Sequence, residues 1–280
     1  EVTTEAQIRE AVRAEAARKV DAIKIWVDDR NGRAPRISPA LFRAAIAESH
    51  RLGLRISAHV FYHQDADALA AAGVDSFAHL VRDLVMDDAL IATMKKNRVY
   101  VMPNIGAPER RTHRTPPSWI TEPHMLALLR DAVPAAVIER ITKSFARNDA
   151  AFVERNRRSY AILQRSVARL AAADALIILG SDTGLEDHLF GHAEQKELEL
   201  MVAAGMTPAQ VIVAATSRSA QYLGLADSGS IAPGKRADFL VVDGNPLQDI
   251  RDTRRIARMF LNGVEVDRAA LRARLAAAAR

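Results

Sequence analysis

The sequence predicts an α/β protein built on a parallel sheet, and three observations carry that reading. Short apolar runs alternate with helix-patterned stretches that close at glycine, as at Gly53 before Leu54 and Gly73 before Val74, which is the rhythm of βα units. Four of the runs contain or end in a residue able to do chemistry: Lys24, His59, His79 and Asp182. Polar groups at several strand ends point to one site on the C-terminal face of a parallel α/β barrel. The run Ile177-Ile178-Leu179-Gly180-Ser181-Asp182 reads as a buried strand ending in a carboxylate. A buried carboxylate is costly unless paired or metal-bound, so Lys24, His59 and His79 are its expected partners.

The elements follow in order. Residues 2–19 show the Val2, Ile8, Val12 spacing of an amphipathic helix. Ala22–Val27 is a buried strand with Lys24 inside it, followed by a turn over residues 28–32. Ser38 and Pro39 are the N-cap and first residue of a helix closing at Gly53. Strands are expected over 54–59, 74–78 and 99–102, with helices over 65–72 and 87–97 between them. Residues 105–123 carry Pro108, Pro116, Pro117 and Pro123, a long connection suited to a lid or substrate loop. Helices fill 124–173 and 194–204. Thr207-Pro208-Ala209-Gln210 is a capping box opening a helix that ends at Gly224. Short strands at 229–231, 238–242 and 258–266 suggest a small β module before an Ala/Arg-rich helix over 268–280. The domain reading is therefore 1–225, 226–267 and 268–280.

Composition narrows the function. With 280 residues, 49% hydrophobic, the chain can bury a large core. The absence of cysteine excludes disulfides, Cys zinc sites and a thiol nucleophile, and leaves the compartment undecided. No apolar run approaches a membrane span and no signal peptide is visible. Net charge is +5, but aromatics are only 5% and the arginines alternate with acids and alanines. That is a solvated helix face rather than the basic, aromatic-interleaved stripe of a nucleic-acid binder. The expected partner is a small-molecule substrate, with no nucleic acid and no membrane; a homo-oligomer is compatible with the sequence.

His59 and His79 end successive strands, and imidazoles so placed can share a divalent metal, zinc first; either one alone reads equally as a satisfied core histidine. Lys24 has two readings, an ion pair with Asp28 or Asp29, or a carbamate formed on its neutral amine. From the pattern alone the ion pair is the simpler. Asp182 is either a cap for the following segment or a metal ligand and general base. Tyr62, His63, His113 and His192 are candidates for substrate contact, as is His188, while His50 and His124 read as surface or packing residues.

Ile23-Lys24-Ile25-Trp26-Val27-Asp28-Asp29, Ala58-His59-Val60, Gly73–His79 and Gly180-Ser181-Asp182-Thr183-Gly184 together resemble the amidohydrolase superfamily, in the branch near imidazolonepropionases and prolidase-like dipeptidases. The tail Gly229–Val242 strengthens the likeness, which covers nearly the whole chain. It implies a (β/α)8 barrel flanked by a β-sandwich and two zinc ions. Lys24 matches the carboxylated bridging lysine, His59 and His79 the histidine ligands on the next two strands, and Asp182 the last-strand aspartate that binds metal and shuttles protons. Such enzymes hydrolyse amide, cyclic amide or ester bonds, carbon–nitrogen bonds outside peptides and dipeptides among them. The family's His-x-His pair has no counterpart here. The resemblance therefore implies a chain that starts near the fourth strand and lacks the first three, with one or two metals. The alternative expectation is a catalytically incompetent fragment, or a binding or assembly subunit.

Overall fold

The computed structural model describes residues 2–30, 32–130, 133–184 and 188–278. In chain order, α1 (Glu5–Ala17) starts at Thr4, whose side chain accepts from the Gln7 N–H in a capping box. β1 (Ala22–Trp26) follows, then α2 (Pro39–Arg51), capped by Ser38. Next come β2 (Arg55–His59), α3 (His63–Ala71), β3 (Ser76–Ala78), α4 (Asp88–Lys96, capped by Asp87) and β4 (Tyr100–Met102). The helices α5 (Gly106–Arg110), α6 (Ser118–Thr121), α7 (Pro123–Arg130), α8 (Ala135–Ser144) and α9 (Ala150–Ala172) precede β5 (Leu176–Ile177). After β5 come α10 (His192–Ala203), α11 (Pro208–Val213), a π-helical segment over Ala214–Arg218 and α12 (Ser219–Leu223). The tail holds β6 (Phe239–Val242), β7 (Ile256–Leu261), β8 (Val264–Glu265) and α13 (Arg268–Ala278).

The chain divides into two compact units, 1–104 with 161–180 and 204–206, and 105–160 with 181–203 and 207–280. In the first, five strands form a parallel sheet in the order β1-β2-β3-β4-β5. Trp26 pairs with His59, His59 with Ala78 and Ala78 with Met102, so the strand ends are in step. The inner strands are buried on both faces, as parallel sheets are: Ile56, Ala58 and Phe77 are inaccessible to solvent, and helix residues such as Phe42, Leu69, Leu90 and Leu163 are buried as well. β1 is an edge strand of the described sheet, and its Lys24–Trp26 face is exposed.

In the second unit Trp119, Ile120, Leu129, Ile138, Ile141 and Phe145 form a core cluster, and β6-β7-β8 form an antiparallel sheet. Three expectations change across the fold. Residues 105–123 are not a structureless lid segment, because α5 and α6 lie within them and Trp119 and Ile120 anchor the cluster. Residues 229–231 form no strand. Gly229 sits at φ +80, and a Cβ there would fall 2.6 Å from the Ala220 Cβ, so a close approach to the preceding helix sets its conformation. Residues 258–266, expected to hold short strands with turns, span the end of β7, a left-handed turn at Asn262 (φ 50) and Gly263 (φ 76), and β8. The run ending at Asp182 keeps only Leu176–Ile177 in the ladder. No helix among the described residues is long and apolar enough to cross a membrane.

Candidate metal centre and the surrounding polar groups

In the first unit β2 and β3 bring His59 and His79 together, with ring centroids 4.5 Å apart in an edge-on arrangement. Both are buried. His79 stands just past β3 with φ 71, its N–H shared between the Met102 carbonyl (2.9 Å) and the Asn104 Oδ1 (3.0 Å). Asn104 (φ 50) and Asp182 (φ 57) are likewise left-handed just beyond β4 and β5. Backbone of that kind in non-glycine residues carries a cost and clusters at functional sites.

His59 is held on two sides. The Trp26 ring stacks on it at 3.7 Å and 12°, and its Nε2 lies 2.8 Å from Asp28 Oδ2. The other oxygen, Asp28 Oδ1, accepts from the Trp26 indole N–H (3.1 Å) and the Arg30 backbone N–H (2.7 Å). His59 Nδ1 is buried and has no hydrogen-bond partner. Burial holds this imidazole down at about 4; the Asp28 carboxylate opposes the fall, while the charges of Arg82 and Lys24 add to it. His59 is therefore neutral at physiological pH, the state in which imidazole binds metal.

Lys24 departs from expectation. It is exposed on the edge strand rather than buried, and it takes no ion pair or hydrogen bond among the described residues. Asp28 is committed to His59, and Asp29 to Tyr62 and Arg36. The ion-pair reading of Lys24 accordingly fails. The lysine occupies the same sheet face as His59, two residues before Trp26 and opposite Ser57.

A divalent metal fits what the sheet offers. The orphaned, buried Nδ1 of His59 is a donor without a partner, and the second imidazole is adjacent. Among the described residues no three His, Asp or Glu side chains form a metal-holding group. The third donor on this face is Lys24, which supplies oxygen only as a carbamate.

Asp182 belongs to the second unit and is half-buried rather than fully buried. Its loop is tied down by Glu194, whose Oε1 accepts from Ser181 Oγ (2.7 Å) and from the Thr183 hydroxyl, and whose Oε2 accepts from the Gly191 N–H (2.7 Å). Beside that loop a cavity of about 10 Å³, room for about one water, is lined by Gly106, Glu109, Trp119, Ser181, His188, His192, Ala193 and Lys196. Trp119 Nε1, His188 Nδ1 and His192 Nε2 are buried there without partners. Glu197 accepts from the Ile105 (2.6 Å) and Gly106 (2.9 Å) N–H groups. Burial nonetheless raises it to about 7, with the Asp182 charge pushing the same way. Burial also holds His192 down at about 4 and lowers Lys196.

The sequence model of the amidohydrolase family matches residues 2–266. The chain belongs to that family. It is similar to an imidazolonepropionase of Deinococcus radiodurans, 38% identical over 64 residues, which are 22% of this chain and 16% of that protein. It is also similar to an adenine deaminase of the same organism, 37% identical over 67 residues, 24% of this chain and 12% of that one. Among solved structures, a Xaa-Pro dipeptidase with methionine bound in its active site superposes with a TM-score of 0.70 at 22% identity, covering 95% of this chain and 59% of that chain. This amidohydrolase chain thus spans about three-fifths of the solved structure and a smaller share of the curated relatives.

The remaining predicted contacts of the amidohydrolase lie as follows. Tyr62 donates its hydroxyl to Asp29 Oδ1 (2.9 Å), with the Arg36 guanidinium 3.9 Å from its ring centroid. His63 opens α3, its N–H donating to Asp83 Oδ1 (2.8 Å) and its Nε2 3.6 Å from Asp87. His113 Nε2 is 2.6 Å from Glu109 Oε1. His192 packs against Trp119, with ring centroids 5.6 Å apart. His50, at 2.9 Å from Asp75, makes a surface pair, and the His124 side chain lies outside the described residues. Sequence reasoning missed Asp28 as the His59 partner and Glu197 as a buried acid. Two adjacent acids just after a strand, and a lone Glu at a core-facing position of α10, were the available signals.

Proposed function

We propose that the chain acts as a metal-dependent hydrolase that cleaves an amide, cyclic amide or ester bond. The observation that carries this reading is the buried His59–His79 pair with an unclaimed Nδ1, in a chain of the amidohydrolase family. The imidazolonepropionase, adenine deaminase and Xaa-Pro dipeptidase likenesses favour a carbon–nitrogen bond as the target.

In this reading His59, His79 and a carboxylated Lys24 would hold zinc, and Asp182 keeps the ligand and proton-shuttle role that the family resemblance gives it. When bound, zinc supplies Lewis acidity and lowers the pKa of water. Asp182 takes the proton lost by the attacking water and returns it to the leaving nitrogen or oxygen as the tetrahedral carbon collapses. Glu194 holds the Ser181–Thr183 loop and so fixes where the Asp182 carboxylate can point. Residues 1–225 make up the barrel part, 226–267 part of a sandwich and 268–280 a terminal helix. Tyr62, His63, His113 and His192 are proposed as substrate-contacting residues. Arg110, Arg111 and Arg114 in the 105–123 segment favour a substrate with an anionic group.

The test is a screen of N-acyl amino acids, dipeptides and lactones with zinc-loaded protein and with the Asp182→Asn variant. Hydrolysis that depends on Asp182 supports the reading, and wild-type turnover by the variant contradicts it. A preference for neutral or cationic substrates removes the anionic-substrate part alone.

A further inference from the structure

Trp26 and Asp28, two and four residues past Lys24, are bonded to each other and to His59 in a way that the ligand set does not describe. Asp28 is buried, and every contact it makes is specific: one oxygen faces His59 Nε2 at 2.8 Å, the other accepts from the Trp26 indole and the Arg30 backbone. Trp26 closes the arrangement by stacking on the His59 ring, and the Arg30 guanidinium lies 4.5 Å from the Trp26 ring centroid on the same indole. A three-layer stack of Arg30, Trp26 and His59 is thus cross-linked by a single carboxylate.

We infer that Asp28, itself fixed by Trp26, is a positioning residue that holds His59 as the Nε2–H tautomer and turns Nδ1 toward the metal. The inference rests on the metal-centre reading above. A carboxylate acceptor selects which ring nitrogen keeps the proton, and the other nitrogen is left with its lone pair. Here the nitrogen left over is the buried Nδ1, to which no described group hydrogen-bonds. A purely structural Asp–His pair would leave no reason to bury a second, unsatisfied nitrogen, which carries a desolvation cost. The Trp26 N–H removes the freedom of Asp28 to swing away, and the indole face removes ring rotation of His59.

The test reads the tautomer first and affinity second. Nitrogen-15 correlation NMR on the metal-free protein is expected to show His59 as the Nε2–H form. In Asp28→Asn, whose amide can face the ring with either its oxygen or its NH2, a second tautomer is expected to appear. Zinc affinity, measured against a chelating dye, is expected to fall about 10–100-fold in Asp28→Asn and by less in Trp26→Phe, which keeps a ring but loses the donor. An Nδ1–H tautomer in the wild type overturns the inference, whether or not either variant folds. So does unchanged zinc affinity in Asp28→Asn while His59→Ala loses zinc. Zinc binding that survives His59→Ala overturns the metal-centre reading itself, and this inference with it.

Discussion

Each unit places two histidines in one polar region, His59 and His79 in the first and His188 and His192 in the second, yet the carboxylates there bond differently. In the first, Asp28 meets an imidazole, and the other ring nitrogen of His59 is left without a hydrogen-bond partner among the described residues. In the second, Glu197 meets backbone, its two oxygens closing the Ile105 and Gly106 N–H groups, while Glu194 closes Gly191 and the hydroxyls of Ser181 and Thr183. A side-chain acid bonded to a side-chain base sets a protonation state and an orientation. One bonded to backbone N–H groups sets the course of a loop. Under the proposed function the first arrangement would prepare a ligand for metal, and the second fixes the segments on either side of a one-water cavity and, with them, the loop that carries Asp182.

The largest effect expected from breaking this contrast is at Asp182. Replacing it with Asn leaves its loop anchored through Ser181 and Thr183 but removes the proton acceptor. Turnover should drop about 10²–10⁴-fold with the thermal midpoint nearly unchanged, as checked by steady-state kinetics beside a melting curve. A matching loss of stability would mean that Asp182 is part of the loop scaffold instead.

Glu197→Gln addresses the other side of the contrast. The carboxyl sits at about 7 in the fold against an ordinary 4.5, so its protonated form is the one that suits the folded state. Its contribution is complete below about pH 4.5 and is lost as pH rises through 7, with a span on the order of 3 kcal/mol. The Gln variant should lose that slope in urea titrations run from pH 4.5 to 8, and its zinc affinity should stay the same. His192, held at about 4 by burial, acts in the opposite sense. Its contribution is present above about 6.5 and lost as pH falls through 4, so His192→Gln should flatten the acid limb of the same curve.

Tyr62→Phe carries the smallest effect. It deletes the half-buried bond to Asp29 and should cost about 1 kcal/mol, with zinc affinity intact. A rise in KM at unchanged kcat would add the hydroxyl to substrate recognition.

Much of the fold was legible because its signals are local. Ser38-Pro39 and Thr207-Pro208-Ala209-Gln210 start α2 and α11 where capping chemistry says they should. Gly53 and Gly73 sit left-handed where helices hand over to strands. The juxtaposition of His59 and His79 was legible too, since adjacent parallel strands that end in histidine can hardly keep the rings apart. What escaped were features set by tertiary context. Lys24 looks buried in an apolar run, but its strand is an edge strand of the described sheet and leaves that face open. The prolines of 105–123 suggested a loop, yet proline starts helices as readily as it breaks them, and Trp119 and Ile120 had a core to join. Asp28 was hidden by its neighbour Asp29, because two acids in a turn read as solvent-facing until one of them is found against an imidazole.

The central claim is that the His59–His79 pair binds metal, and zinc content by plasma mass spectrometry after dialysis tests it most directly, comparing the wild type with His79→Ala. The account predicts at least about one zinc per chain in the wild type and its loss from the variant, with both proteins unfolding cooperatively. Equal zinc in the two proteins, or none in a cooperatively folded wild type, would contradict it.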